Sequence, residues 1–389
     1  MKRIYRKLMC ACVALLITPA LLPAETLLDP SSQGSAASSN VTWSHWDRVP
    51  VNIHFGKTNG DLTDAEIDFL ASYDGWIVLE KRHGLEVHGS TEAGIADTAR
   101  RLKQRNPNVK VLFYLNSFIN WPGYDCYATY QPEWDLRTPE GSVVYKTENV
   151  ARPDPSNPEF REWWSDVIAD QMKDGLVDGV FVDALPQVLH ERLASQLGDA
   201  KARAVVAGVR DMIALTKQKI GADKMILANG ARGEDYREIL EWPGLDGIMI
   251  EHFDEFGSHD PATIKADLET IQLAADKGKF VVIKAWPGFA WNDSAMMKRP
   301  RAELLTIARE RITFPLACFL VAAQPDSQFC YSWGYREKHG MLDAYPEFKK
   351  PLGPPEADAV WDGMTATREF KHASVWVDLT SKEARIDWH

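Results

Sequence analysis

Cysteine is scarce. The 389-residue chain holds 5, and two of them, Cys10 and Cys12, fall in an apolar run near the N-terminus. The remaining Cys126, Cys318 and Cys330 match neither the ligand spacing of a zinc site nor the density of a disulfide framework. Closeness in sequence suggests at most one bridge, between Cys318 and Cys330. Basic charge is also in deficit, with 44 Lys and Arg against 55 Asp and Glu and a formal net charge of -11. That balance argues against nucleic acid and anionic membrane surfaces as partners. No HExxH pair marks a hydrolytic metal, and no GxSxG marks a serine nucleophile. Where a dinucleotide-binding fold would place its glycine-rich loop, the chain reads Gly56-Lys57-Thr58-Asn59-Gly60. Neither a cofactor nor a catalytic metal is expected.

Long apolar runs are nearly missing as well. The one at Leu8–Leu22 is shorter than the roughly 20 residues of a membrane span. It follows Lys2, Arg3, Arg6 and Lys7 and precedes the small-residue site Leu22-Pro23-Ala24, the order of a secretory signal. Residues 1–24 are therefore expected to be a cleaved signal peptide, with no membrane insertion afterwards and a periplasmic or secreted location. Residues 25–45, rich in Ser, Ala and Gly, are expected to be a flexible leader.

What the chain does have is a repeated pattern. Asp178-Gly179-Val180-Phe181-Val182-Asp183 and Asp246-Gly247-Ile248-Met249-Ile250-Glu251 each run Asp-Gly, three apolar residues, then an acid. A looser copy ends on Glu80. An acid after a buried apolar strand belongs at the strand's open end, because burying it unpaired costs several kcal/mol. Similar apolar runs recur at Val51–Phe55, Val109–Leu115, Met225–Ala228, Phe280–Ile283 and Cys318–Ala322, with amphipathic stretches between them. Eight such runs alternating with helices predict an α/β fold, a (β/α)8 TIM barrel over 46–348; a doubly wound sheet is the competing fold. The Pro-rich stretch from Lys349 to Asp358 reads as a linker. The alternating tail after it predicts two short antiparallel strands, a small β cap that completes 349–389.

On a barrel, the residues just past the strands share one rim, and active sites are built there. That rim is expected to comprise His54, Glu80, Asn116, Asp183, Asn229, Glu251, His252, Lys284, Trp286 and Asp326. The long segment from Ser117 to Asn157 adds Trp121, Tyr124 and Trp134 as candidate sugar-stacking walls. Two carboxylates facing one aromatic-lined pocket suit glycosidic cleavage, with Asp183 and Glu251 as the pair. Asn116 and Lys284 are expected beside Asp183, and His252, Phe253 and Trp286 beside Glu251. A barrel that binds carbohydrate without cleaving it is the alternative from another class. A polysaccharide lyase is a third reading, which the acidic balance disfavours.

Longer stretches carry a family resemblance: YDGWIVLEK, VLFYLN, DPSNPEFREWW, DGVFVDA, ILANG, DGIMIEHF and REFKHASVWVDLTSKEARIDW. Together they resemble bacterial and algal TIM-barrel proteins known as hypothetical glycosyl hydrolases and, more distantly, the polygalactosaminidase and α-galactosidase barrels. The resemblance implies a retaining α-glycosidase acting on a poly- or oligosaccharide. It also implies that the acid after strand four, Asp183, is the nucleophile and the acid after strand six, Glu251, the acid/base.

Overall fold

The computed structural model describes residues 46–230, 232 and 234–389. The expected signal and leader lie outside the described residues. Eight parallel strands pair in chain order: β1 (Ile53–Phe55), β2 (Trp76–Leu79), β3 (Lys110–Asn116), β4 (Gly179–Asp183), β5 (Met225–Asn229), β6 (Gly247–Phe253), β7 (Phe280–Ala285) and β8 (Ser327–Tyr331). Bonds from Asn52 N to Phe329 O at 2.9 Å and from Gly56 N to Tyr335 O at 2.9 Å bring β8 back beside β1 and close the barrel. Helices α1 (Asp64–Ala71), α2 (Thr91–Arg105), α3 (Pro158–Met172), α4 (Asp199–Ile220), α5 (Pro261–Asp276), α6 (Arg301–Glu310) and α7 (Thr313–Ala322) lie between the strands. A 3-10 segment, Glu234–Glu241, takes the helix position after β5. The start of α3 follows its local code: Asn157 Oδ1 accepts from Glu159 N at 2.8 Å, with Pro158 at the first helical position.

The Asp-Gly pairs have a packing reason. A β-carbon on Gly179 would lie 2.1 Å from Met225 O, one on Gly247 2.5 Å from Phe280 O, and one on Gly75 1.7 Å from Val51 O. Each glycine lets a neighbouring chain segment pass across the start of its strand. The aspartates cap the preceding strands: Asp178 Oδ2 accepts from Val111 N at 3.0 Å, and Asp246 Oδ2 from Ile226 N at 2.7 Å. The pattern read for its terminal acid is thus also the barrel's closing stitch at the opposite end.

One expected strand is a helix. Cys318–Ala322 lies in α7, which is almost wholly buried, and the eighth strand is Ser327–Tyr331. A short run that is apolar throughout fits a strand or a fully buried helix equally well. The true strand carries the polar Ser327 and Gln328, both buried, and Gln328 Oε1 accepts from Trp76 N at 3.2 Å. Asp326 therefore precedes β8, at the end of the barrel opposite the expected rim, and its carbonyl accepts from Val281 N at 2.9 Å.

The tail forms four antiparallel strands, where two were expected: β9 (Val360–Asp362), β10 (Thr365–Phe370), β11 (Ala373–Asp378) and β12 (Glu383–Trp388). Ala366, Arg368, Phe370, Ala373, Val375 and Val377 are buried at alternate positions, on the side packed against α7. No described helix is long and apolar enough to cross a membrane. Cys126, Cys318 and Cys330 are free thiols.

Candidate active site

Asp183 ends β4 under four donors. Tyr114 donates its hydroxyl to Asp183 Oδ2, and Asn116 Nδ2 reaches the same oxygen at 3.0 Å. The other oxygen, Oδ1, accepts from Ala184 N at 2.7 Å and Asn229 Nδ2 at 2.8 Å. Ala184, which follows Asp183, adopts φ 61°, in the left-handed region that side chains with a β-carbon disfavour.

Glu251 is reached from the same amide: Asn229 Nδ2 also donates to Glu251 Oε2 at 2.8 Å. Tyr335 donates its hydroxyl to Glu251 Oε1 at 2.7 Å, and His252 Nε2 stands 3.3 Å from Oε2. The strand makes this possible by losing register. Between Ile250 and Phe253, β6 has an irregularity that sets Glu251 and His252 against Lys284 alone on β7. Such bulges re-aim side chains next to active sites. Burial is the main cause that holds His252 below its ordinary value; Glu251 opposes the shift, and Arg232 and Lys284 add to it.

A further network lies beside Asp183. Lys81 donates to Glu80 Oε2 at 2.9 Å and to Tyr114 Oη at 3.2 Å, so cation, hydroxyl and Asp183 form a chain. Burial would raise Glu80, but the Lys81 ammonium and His54 outweigh it and hold the carboxyl down to about 2. Lys81 is also raised: burial opposes this, and Glu80, Asp183 and Glu251 overcome it. Burial chiefly, with Asp183 adding, keeps the Tyr114 phenol well above its ordinary value and hence protonated.

The structure brings Asn116, Asp183, Asn229, Glu251 and His252 together. Asp183, Asn229, Glu251 and His252 line one pocket of about 280 Å³ with Gln187, His190, Arg232 and Tyr236. His54 is buried beneath the mouth, against Phe181 at 4.8 Å between ring centroids, with Nε2 3.6 Å from Glu80. Lys284 is fully buried and does not stand beside Asp183. Its ammonium lies 3.7 Å over the Trp286 ring and donates to Ser332 O at 2.8 Å. Burial lowers it to about 8, against the charges of Cys330, Glu251 and Glu255. Trp286 is buried as well, and its indole donates to Glu251 O at 2.9 Å.

Two expected sugar walls instead pack the long loop against the barrel. Tyr124 donates to Tyr114 O at 3.0 Å, and Trp134 packs among Tyr130, Phe160 and Trp163. A loop this long needs apolar anchors to hold a shape, and these rings supply them against β3 and α3. Trp121 stays half-buried, 5.9 Å from the Lys81 ammonium, and Trp291 stays exposed over Trp286 and Tyr335. Sequence reasoning missed Lys81, Tyr114 and Tyr335. The first follows Glu80 directly, the second stands two residues before Asn116, and the third was hidden by the misplaced eighth strand. Among the described residues, one cluster has metal-ligand geometry, Asp61, His88 and Asp97; it lies away from this pocket.

The profile of the family described as hypothetical glycosyl hydrolase family 15 matches residues 103–374, from the end of α2 to β11. The chain belongs to hypothetical glycosyl hydrolase family 15. It is accordingly a glycoside hydrolase, and its substrate is a carbohydrate. No curated protein gives a significant match. Among solved structures, the maltogenic α-amylase AmyB of Thermotoga neapolitana superposes with a TM-score of 0.50 at 11% identity, over 86% of each chain. The glycoside hydrolase domain of PelA from Pseudomonas aeruginosa gives 0.44 at 13%, over 67% of this chain and 90% of that one. The Aspergillus fumigatus Ega3 complex with galactosamine gives 0.44 at 11% identity, over 76% of this chain and 94% of that one. At such identities the likeness concerns the fold.

Proposed function

We propose that this family member cleaves its glycan by a retaining mechanism, with Asp183 as nucleophile and Glu251 as acid/base. The bridge made by Asn229 carries the proposal. Its one nitrogen donates to both carboxylates at 2.8 Å. The two N–H bonds of an amide diverge by about 120°, so the bridged oxygens stand roughly 5 Å apart, near the 5–5.5 Å of retaining enzymes and short of the roughly 6.5–9.5 Å of inverting ones. In the first step Glu251 protonates the leaving oxygen while Asp183 Oδ attacks the anomeric carbon. In the second, Glu251 takes a proton from water, which displaces Asp183 from the sugar. Tyr114, Asn116, Ala184 N–H and Asn229 orient the attacking carboxylate, and Tyr335 orients Glu251. Specificity for an α-linkage is proposed on the sequence resemblance, and a periplasmic or secreted location on the basic and apolar order of residues 2–24.

The test is a panel of poly- and oligosaccharides given to the purified protein, with Asp183→Asn beside it. Hydrolysis lost in the variant, and a first-formed sugar of retained configuration by NMR, are the expected results. Glu251→Ala should keep most activity on activated leaving groups and yield a glycosyl azide of retained configuration when azide is added. An inverted product would overturn the retaining step. Binding without cleavage by the wild type would favour the carbohydrate-binding barrel instead.

A further inference from the structure

The C-terminal sheet contributes no side chain to the described pocket lining, yet one of its turns holds the loop behind Glu251. Lys382, between β11 and β12, donates to Asp254 Oδ1 at 2.5 Å. Asp254 directly follows β6, and His259 Nδ1 lies 3.4 Å from the same oxygen. Both ends of the pair have left-handed backbone, φ 56° at Lys382 and 52° at Asp254, as does Phe256 at 53°. Side chains with a β-carbon disfavour that region, and such conformations persist where surrounding contacts over-determine them. Those contacts are visible here. The Phe256 ring lies 4.5 Å from His252 and 5.2 Å from Trp286. Ser258 Oγ donates to His252 O at 2.8 Å, and Glu255 N donates to the same carbonyl at 3.1 Å. The turn folds back onto the residue beside Glu251, and the cap grips its outer end.

We infer that Lys382 is a positioning residue, which sets the place of the Glu251 carboxyl by anchoring the turn from Asp254 to Ser258. The inference rests on the acid/base role proposed for Glu251. The ion pair is partly open to solvent, with side chains 36% and 19% exposed, so it contributes little to global stability. Catalysis is far more sensitive to small displacements of a reacting group. The two consequences are therefore separable.

Lys382→Met keeps the stem and removes the charge. Lys382→Arg is the conservative rescue, and Arg385→Ala, which breaks an exposed pair within the cap, is the control. The expected result for Lys382→Met is a kcat lower by roughly fivefold or more, with KM and melting temperature nearly unmoved. The loss should be larger for a poor leaving group than for an activated one, since only the former needs the proton of Glu251. Amide hydrogen exchange over 251–258 should quicken, and Lys382→Arg should restore both properties. Unchanged exchange, unchanged turnover, or an equal loss on both leaving groups would each overturn the inference. A wild type that hydrolyses no glycan would sink the proposed function, and exchange alone would then decide whether Lys382 anchors the turn.

Discussion

Four donors converge on Asp183, and only the Ala184 N–H is its neighbour in sequence. Tyr114 matters most among them, because it also accepts from Lys81 and so passes the pull of that cation to the carboxylate. Tyr114→Phe should lower kcat by about tenfold or more with little change in KM, as expected when a donor to a charged reacting group is removed. Steady-state kinetics on any hydrolysed substrate would check it. Glu80 makes a prediction about pH. Its folded value, about 2, lies below the ordinary 4.5. The unfolded chain therefore binds the extra proton between these limits, so the stability contributed by Glu80 is complete above pH 4.5 and is lost as pH falls toward 2. Glu80→Gln should flatten that acid limb in urea titrations. It should also destabilise the protein at neutral pH by about 2 kcal/mol, because Lys81, still partly open to solvent, loses its carboxylate partner. The acids themselves were legible in the chain, each following three apolar residues. Lys81 and Tyr114 were not, because their value comes from what the adjacent strand presents.

At the scale of elements, the Asp-Gly steps deserve the closest test. Gly179→Ala would drive a β-carbon to 2.1 Å from Met225 O, a backbone atom that cannot turn aside. A loss of about 3 kcal/mol is expected, at the upper end of overpacking costs. Gly60→Ala is a useful contrast. Nothing lies within 4 Å there, and only its φ of +77° opposes a side chain, so about 1 kcal/mol is expected. Chemical denaturation of the two variants would separate crowding from backbone strain. The starts of β2, β4 and β6 were readable from this dipeptide. The eighth strand was not, because an apolar run sheltered under a β-sheet can be helical all round, as α7 is. That displacement moved Asp326 to the far end of the barrel and concealed Tyr335.

At the scale of the molecule, Arg368 joins cap to barrel. It is buried on β10 and donates to Ala323 O at 2.6 Å and Leu320 O at 3.1 Å, carbonyls at the end of α7. A cation there satisfies both the open carbonyls and the negative end of the helix dipole. Arg368→Met should cost about 3 kcal/mol by leaving these acceptors unpaired. It should also expose the linker from Lys349 to Asp358 to limited proteolysis before the barrel is cut. Cleavage in the barrel and linker at equal rates would mean that the two parts do not depend on this contact.

The chain by itself determined the alternation of strands and helices, the glycines at strand starts and the acids at strand ends. These depend on apolar periodicity and on the cost of burying charge, which act within a few residues. The tertiary structure decided which groups meet. It placed Asn229 between Asp183 and Glu251, Lys81 behind Tyr114, Lys284 under Trp286 and Lys382 on Asp254. Each of these meetings depends on barrel closure, strand register and the bulge in β6, which bring together residues far apart in the chain and have no local signature in it.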